Sequence, residues 1–486
     1  MALCGESAGT SVIALAAFPF LVLLNAGFVS AQNAPPSPDH AWYPPAAQPI
    51  ENDAKRILSP AFSIDPIKIY PLAELIDLAE THNPETRVAW ERARGQLAAL
   101  GIARSELYPA LAAFALTQAD RSELLFQERF LRQTVLTYQA ALDLYYTVFD
   151  FGARAGRIEA ARAEALAANF AFNDTHRRVI YQVQQAYDRL QNATGQEEAA
   201  RASLANALAV QQAAEDRLKH GLATLPDLLE TRSATAQALY DVEVVLGAEA
   251  IARGDLATAL AVSPTTVIQV LSVYQAPLPD SIAETVDQVI TRALEQRPDL
   301  MEQFAQIRAA NADVGQARAL FYPTLTFRAT PMAQSLYGWQ QTSPWAHTAD
   351  LTGQMYLNLS WTVFDGGSRR NTLERAEANV RGAKAQASVI RDRIANEIWA
   401  AYSNLKTAFG QRRAAIAFLD SANQSYAAAL ESYNYGVRNL LDVTAAQRVL
   451  AQARSTDVTA RAHVLTALAD LAFAAGDLIQ PGAKRP

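Results

Sequence analysis

The chain has 486 residues, half of them apolar and 19% charged, with a formal net charge of -7. That acidic balance, with no Lys/Arg stripe, excludes nucleic acid as a partner, because nothing would offset phosphate repulsion. No run of about 20 apolar residues follows the N-terminus, which excludes a helical polytopic membrane protein.

Residues 1–31 read as an export signal. An apolar stretch from Val12 to Val29 ends at the small-residue site Val29-Ser30-Ala31, so the mature chain begins near Gln32. The only cysteine, Cys4, falls in this segment, which rules out disulfides and Cys-ligated metal in the mature chain. Gly5-Glu6-Ser7-Ala8-Gly9 matches a G-x-S-x-G nucleophile elbow, but that motif needs a preceding strand and a following helix, and here it leaves with the signal. The six histidines are scattered without metal-ligand spacing. No enzyme, metal site or cofactor is expected. A Pro-rich arm fills residues 32–65.

Two copies of one unit follow, at 66–270 and 283–480, joined by a linker at 271–282 that holds Pro277 and Pro279 and closed by a tail at 481–486. Asn83-Pro84 matches Arg297-Pro298 and Tyr108-Pro109 matches Tyr322-Pro323, both at a separation of 214. Thr147-Val148-Phe149-Asp150 recurs as Thr362-Val363-Phe364-Asp365, and Gly221 with Asp227 as Gly436 with Asp442, at a separation of 215.

In each copy a helix stops at the X-Pro step, a second begins with proline in its first turn, and Tyr-Pro ends that one. Two strand-like segments come next. In the first copy Tyr138, Ala140, Leu142, Leu144, Tyr146 and Val148 alternate with a mostly polar set, and in the second Met355, Leu357, Leu359, Trp361 and Val363 do so. The first strand of each pair is fainter, and the segments 122–133 and 334–352 read as exposed loops. From Gly152 to Gly221, and again from Gly367 to Gly436, about 69 proline-free residues keep a helical period, or roughly 100 Å of helix. The seam Leu373, Ala376, Val380, Ala383, Ala387, Ile390 and Ile394 steps by three and four, as a coiled coil requires. A last helix closes each copy.

Strands with one apolar and one polar face suit a transmembrane barrel, with lipid on the first face and water on the second. Tyr138, Leu142, Leu144, Tyr146, Val148, Leu357, Leu359, Trp361 and Val363 are the candidate lipid-facing residues. Trp361, with Trp339 and Trp345, is a candidate for an interfacial girdle. Four strands cannot close a barrel, so chains must pool them. Three chains give 12 strands and a lumen continuous with a helical tube. The fold class is therefore mainly α with a small antiparallel β part. The alternative is a periplasmic coiled-coil adaptor or scaffold, which needs no alternating strands.

Taken together, the helix breaks at Asn83-Pro84 and Arg297-Pro298, the Tyr-Pro strand entries, the Phe-Asp-Phe-Gly and Phe-Asp-Gly-Gly strand exits, and Gly436-Val437-Arg438-Asn439-Leu440-Leu441-Asp442-Val443 resemble the TolC-like outer-membrane efflux and type I secretion channels. The likeness runs over the mature chain from about Asp65. It implies a homotrimer with a 12-stranded outer-membrane barrel and a periplasmic tunnel, working with a periplasmic adaptor and an inner-membrane transporter of the RND or ABC type. It also implies a periplasmic gate held by Asp227, Tyr433, Arg438 and Asp442. Asp442, repeated three times, would ring the aperture with carboxylates. Two departures stand out: Ala445 takes the place of a second acidic ring, and Pro226 that of a hydrogen-bonding residue. The plainer role for Asp227 and Asp442 is to complement helix N-terminal dipoles.

Overall fold

The computed structural model describes residues 49–50, 52–53, 62, 64–126, 128–271, 277–279, 281–282, 284–340 and 343–478. The signal, the Gly5–Gly9 motif, most of the Pro-rich arm and the C-terminal tail lie outside them. Met1–Ser59 is a separate compact unit in which residues 49–50 and 52–53 are helical. All that follows concerns the second unit, Pro60–Pro486.

Helices α1 (Leu72–His82) and α2 (Pro84–Ser105) meet at Asn83, whose extended backbone ends one helix and whose side-chain oxygen accepts from the Glu85 N–H at 2.7 Å to start the next. Proline at the first position of α2 has no amide hydrogen to leave unsatisfied. Helices α3 (Ala153–Lys219) and α4 (Leu225–Ala259) complete the first copy. The second copy repeats the lengths closely: α5 (Val286–Gln296), α6 (Pro298–Ala319), α7 (Ser368–Asn434) and α8 (Leu440–Ala475). Both long helices, α3 and α7, have 67 residues, about 100 Å of rod at 1.5 Å each. Each starts after a left-handed glycine, Gly152 at φ 92° and Gly367 at φ 93°.

Between the helices of each copy stands a long hairpin. Strands β2 (Ala110–Phe126), β3 (Arg129–Phe149), β5 (Thr324–Gln340) and β6 (Ser343–Ser360) form one antiparallel sheet in the order β2-β3-β5-β6. A small parallel pair, β1 (Ile69–Tyr70) with β4 (Gln269–Val270), ties the start of the first copy to its end. Of the expected loops at 122–133 and 334–352, residues 122–126, 129–133, 334–340 and 343–352 are instead strand. Leu124 pairs with Leu131 and Tyr337 with His347, so the ladders run on through both segments. Charged and glycine residues mask the alternation there, whereas cross-strand hydrogen bonds ignore side-chain polarity. Three residues also leave the expected strand phase. Trp361 and Val363 fall past the end of β6, in the segment leading to α7. Val148 sits in a bulge between the Thr147–Thr326 and Phe149–Leu325 pairs.

Apolar packing is spread along the rod. One cluster joins Leu75, Ala79, Val179, Val183 and Leu256. Its repeat counterpart joins Val289, Ala293, Ile390, Ile394 and Ile398. A third, of Val210, Ala429, Tyr433, Leu440 and Val443, lies near the far helix ends.

Candidate functional site: sheet faces and helix tips

Residues opposite one another in an antiparallel ladder share a face. Leu111 opposes Leu144, Leu144 opposes Ala329, and Ala329 opposes Met355, which sets one apolar row across all four strands. Tyr146, Phe327 and Leu357 make a second row on that face, and Leu142 and Tyr138 continue it toward the hairpin turns. Further along, the face carries Tyr138 edge-on to Tyr337 with ring centroids 5.9 Å apart, then Trp339 and Trp345. The opposite face is polar. There Arg328 grips Asp143 in bidentate fashion, Nε to Oδ1 at 2.7 Å and Nη2 to Oδ2 at 2.9 Å, and Thr330 donates to the same carboxylate. Leu359 lies opposite Leu325 on the apolar face, and Trp361 turns its indole N–H onto the Phe321 carbonyl at 3.2 Å.

Where strand gives way to long helix, both copies use one clasp. The Asp150 carboxylate accepts from the backbone N–H of Arg154 at 2.8 Å and from its Nε at 3.1 Å, while Nη2 donates back to the Val148 carbonyl. Asp365, Arg369 and Val363 repeat all three bonds. The strand-exit motifs pointed to the aspartates but missed the arginines. Their recurrence four residues on, Asp150 to Arg154 and Asp365 to Arg369, was the available signal.

At the other end of the rod, α3 turns into α4 through Gly221 at φ 74°, and α7 into α8 through Gly436 at φ 75°. Asp227 closes a capping box: its carboxylate accepts from the Thr224 backbone N–H at 2.8 Å and hydroxyl at 2.7 Å. The hydroxyl bond and then the backbone bond hold its carboxyl below the usual carboxylate range. Asp442 stands in the first turn of α8, and its N–H donates to the Asn439 side chain at 3.0 Å. Tyr433 is buried, 5% exposed, in the tip cluster. Arg438 is exposed on the turn and, among the described residues, makes no ion pair. The four expected gate residues therefore share one end of the molecule, but Asp227 and Arg438 are not joined within the chain.

Other residues join the two hairpins there. Arg217 of α3 donates to the Tyr433 carbonyl at 2.6 Å, and Thr444 of α8 donates to Glu230 of α4 at 3.3 Å. Arg448 stands 3.8 Å from the same Glu230. Nothing in the residue pattern singled these out, because a single Arg or Glu on a helix is ordinarily a solvated side chain.

The sequence profile described as "Outer membrane efflux protein" matches residues 75–262 and 289–477, one stretch per copy. The chain belongs to that family. It resembles protein CyaE of Bordetella pertussis, 28% identical over 414 residues and covering 84% of each chain. It also resembles outer membrane protein OprJ of Pseudomonas aeruginosa, 25% identical over 387 residues and 78% of each chain. A solved membrane protein from Pseudomonas aeruginosa superposes with a TM-score of 0.72 at 25% identity, over 83% of this chain and 90% of that one. The family member described here is thus an outer-membrane channel, the outer part of a tripartite export system whose tunnel lies in the periplasm. That overturns the adaptor or scaffold alternative, which had no use for four strands of 17 to 21 residues.

Proposed function

We propose that three copies of this chain pool their strands into a 12-stranded barrel set in outer-membrane lipid and their helices into one periplasmic tunnel. The observation that carries this is the sheet order. Strands β2 and β6 each have one strand neighbour in the described structure, so both edges are open along 17 and 18 residues. Lipid tolerates no such edge, because unpaired backbone groups there find no water. Joining β6 of one copy to β2 of the next removes every edge at once.

The apolar face then meets lipid through Tyr138, Leu142, Leu144, Tyr146, Leu357 and Leu359, and the Asp143–Arg328 face meets the lumen. Phe327 and Tyr337 lie ten residues apart on β5, about 33 Å at 3.3 Å per residue. Tilted by about 40°, that is about 25 Å of height, the usual apolar band of an outer-membrane barrel. Trp339, Trp345 and Tyr138 belong to its outer aromatic girdle, while Trp361 marks the periplasmic side.

At the tunnel's far end Asp227, Tyr433, Arg438 and Asp442 form the gate. Because Arg438 and Asp227 are unjoined within the chain, their link runs between neighbouring copies, as a charge-assisted hydrogen bond. Three Asp442 carboxylates ring the aperture and favour cations. A periplasmic adaptor and an inner-membrane transporter, RND or ABC type, engage this end and supply the energy. Membrane fractionation tests the reading: detergent-extracted outer membranes should yield a native mass of three chains with channel activity in planar bilayers. Release by osmotic shock, or a monomer in mild detergent, would sink it. Arg438→Ala or Asp227→Ala should raise single-channel conductance, and unchanged conductance removes both from the gate.

A further inference from the structure

The duplication supplies a template for the contact between copies. Within the chain, α6 of the second copy packs antiparallel on α3 of the first. The fit is close: a Cβ added at Gly156 would stand 3.0 Å from the Gln316 N and 3.1 Å from the Ala312 O. Beside it Arg308 Nε donates to Glu159 at 2.7 Å. Helix α2 is the counterpart of α6 at a separation of 214, and α7 the counterpart of α3 at 215. Yet α2 and α7 do not pack together in one chain.

Both counterpart faces are bare. On α2 the residues Val88, Glu91, Gly95, Ala98 and Ile102 step by three and four and are all exposed, Ile102 by 72%. They stand where α6 presents Glu302, Ala305, Ala309, Ala312 and Gln316 to α3, and Ala305 and Ala309 are buried. On α7 the exposed stripe is Glu374, Ala378, Gly382, Ala385 and Val389. Its α3 counterparts Ala163 and Ala167 are buried under α6, the first completely. The template's ion pair is preserved too. Arg308 corresponds to Arg94 and Glu159 to Glu374, and among the described residues neither Arg94 nor Glu374 has an ion-pair partner. Arg94 rests over the Trp90 ring, 5.2 Å from its centroid.

We infer that α2 of one copy packs into the α7 face of the next and that Arg94 pairs with Glu374 across this boundary. The inference rests on the trimeric reading above and assigns its interface. Opposite charges at counterpart positions, small residues on both stripes and apolar ends at Val88, Ile102 and Val389 make the faces complementary. Asn371 in place of Gly156 holds the helices somewhat further apart at the barrel end than in the template.

Cross-linking tests this without background, since the only native cysteine is Cys4. The full chain carrying Arg94→Cys with Glu374→Cys, treated in outer membranes with a short bis-maleimide, should yield covalent trimer. Either single variant, or Arg94→Cys with Lys384→Cys, should yield at least tenfold less. Arg94→Glu should lower the fraction of trimer surviving mild denaturant several-fold, and adding Glu374→Arg should restore it. A native trimer in which the Arg94→Cys/Glu374→Cys pair stays uncoupled, or couples within one chain, overturns this interface and leaves the trimer standing. A monomer by native mass overturns both.

Discussion

The guanidinium of Arg217 lies over the ring of Tyr433, its Cζ 4.3 Å from the centroid, while donating to that residue's own carbonyl at 2.6 Å. One side chain thus fastens the last turn of α3 to the last turn of α7, on top of the apolar cluster of Val210, Leu440 and Val443. Removing it leaves that carbonyl with the Gly436 N–H alone, at 3.0 Å, and uncovers a buried ring at the point where two helical hairpins must stay together. Arg217→Ala should therefore loosen the tunnel tip and raise conductance in planar bilayers at least twofold. Arg217→Lys should restore little, because an ammonium keeps the charge but not the planar stack. Wild-type conductance in Arg217→Ala would show that the apolar cluster holds the tip unaided.

How far the fold was legible depends on which force set each part. The long helices and the Asn83 break were legible because periodicity and proline act locally, and α3 and α7 obey them for 67 residues each. The outer halves of the strands were not, since residues such as Arg121, Glu123 and Arg132 belong to a ladder only through backbone pairing with a distant partner. At the tip, glycine turns and first-turn acids could be read. The Arg217–Tyr433 clasp could not, as it joins residues 216 apart in sequence. Arg297 was read only as a helix break, though its side chain is among the most buried in the molecule.

That burial has a measurable cost when disturbed. Arg297 is 2% exposed and binds Asp299 by two bonds, Glu397 at 2.8 Å and the Ala474 carbonyl at 3.1 Å. Arg297→Ala would leave the half-buried Asp299 carboxylate without its main partner, and should cost about 3–5 kcal/mol. Urea unfolding followed by helical circular dichroism reads the loss. Arg297→Lys should recover less than half, since an ammonium cannot span three acceptors.

Stability should also depend on pH through Asp188. Burial first, and the charge of Asp470 second, push its carboxyl up to about 7. The folded chain therefore holds a proton that the unfolded chain gives up above about pH 4. This contribution is fully present below that pH, is lost as pH rises toward about 7, and stays lost beyond. Asp188→Asn should match the wild type near pH 4 and exceed it at pH 8 by on the order of 2–4 kcal/mol. Parallel unfolding curves at the two pH values check it; an equal gap at both would show that Asp188 does not titrate in this window.

The glycine turns at the tip give a backbone prediction. Gly436 has φ 75° with open space where a Cβ would stand. Gly436→Ala thus meets left-handed strain and no clash, a cost of about 1–2 kcal/mol. The same change at Gly221, φ 74°, should cost a similar amount. A much larger loss at Gly436, seen in the same unfolding assay, would mean that neighbouring chains press on that turn.

The open edges of β2 and β6 reach beyond architecture into inheritance. In the proposed three-chain ring, a chain whose β2 edge is blocked by an inserted proline still offers a sound β6, so it would recruit a healthy neighbour and then fail to close the ring. Such a variant should act as a dominant poison: when blocked and wild-type chains are made in equal amounts and mix at random, about one ring in eight contains no blocked chain.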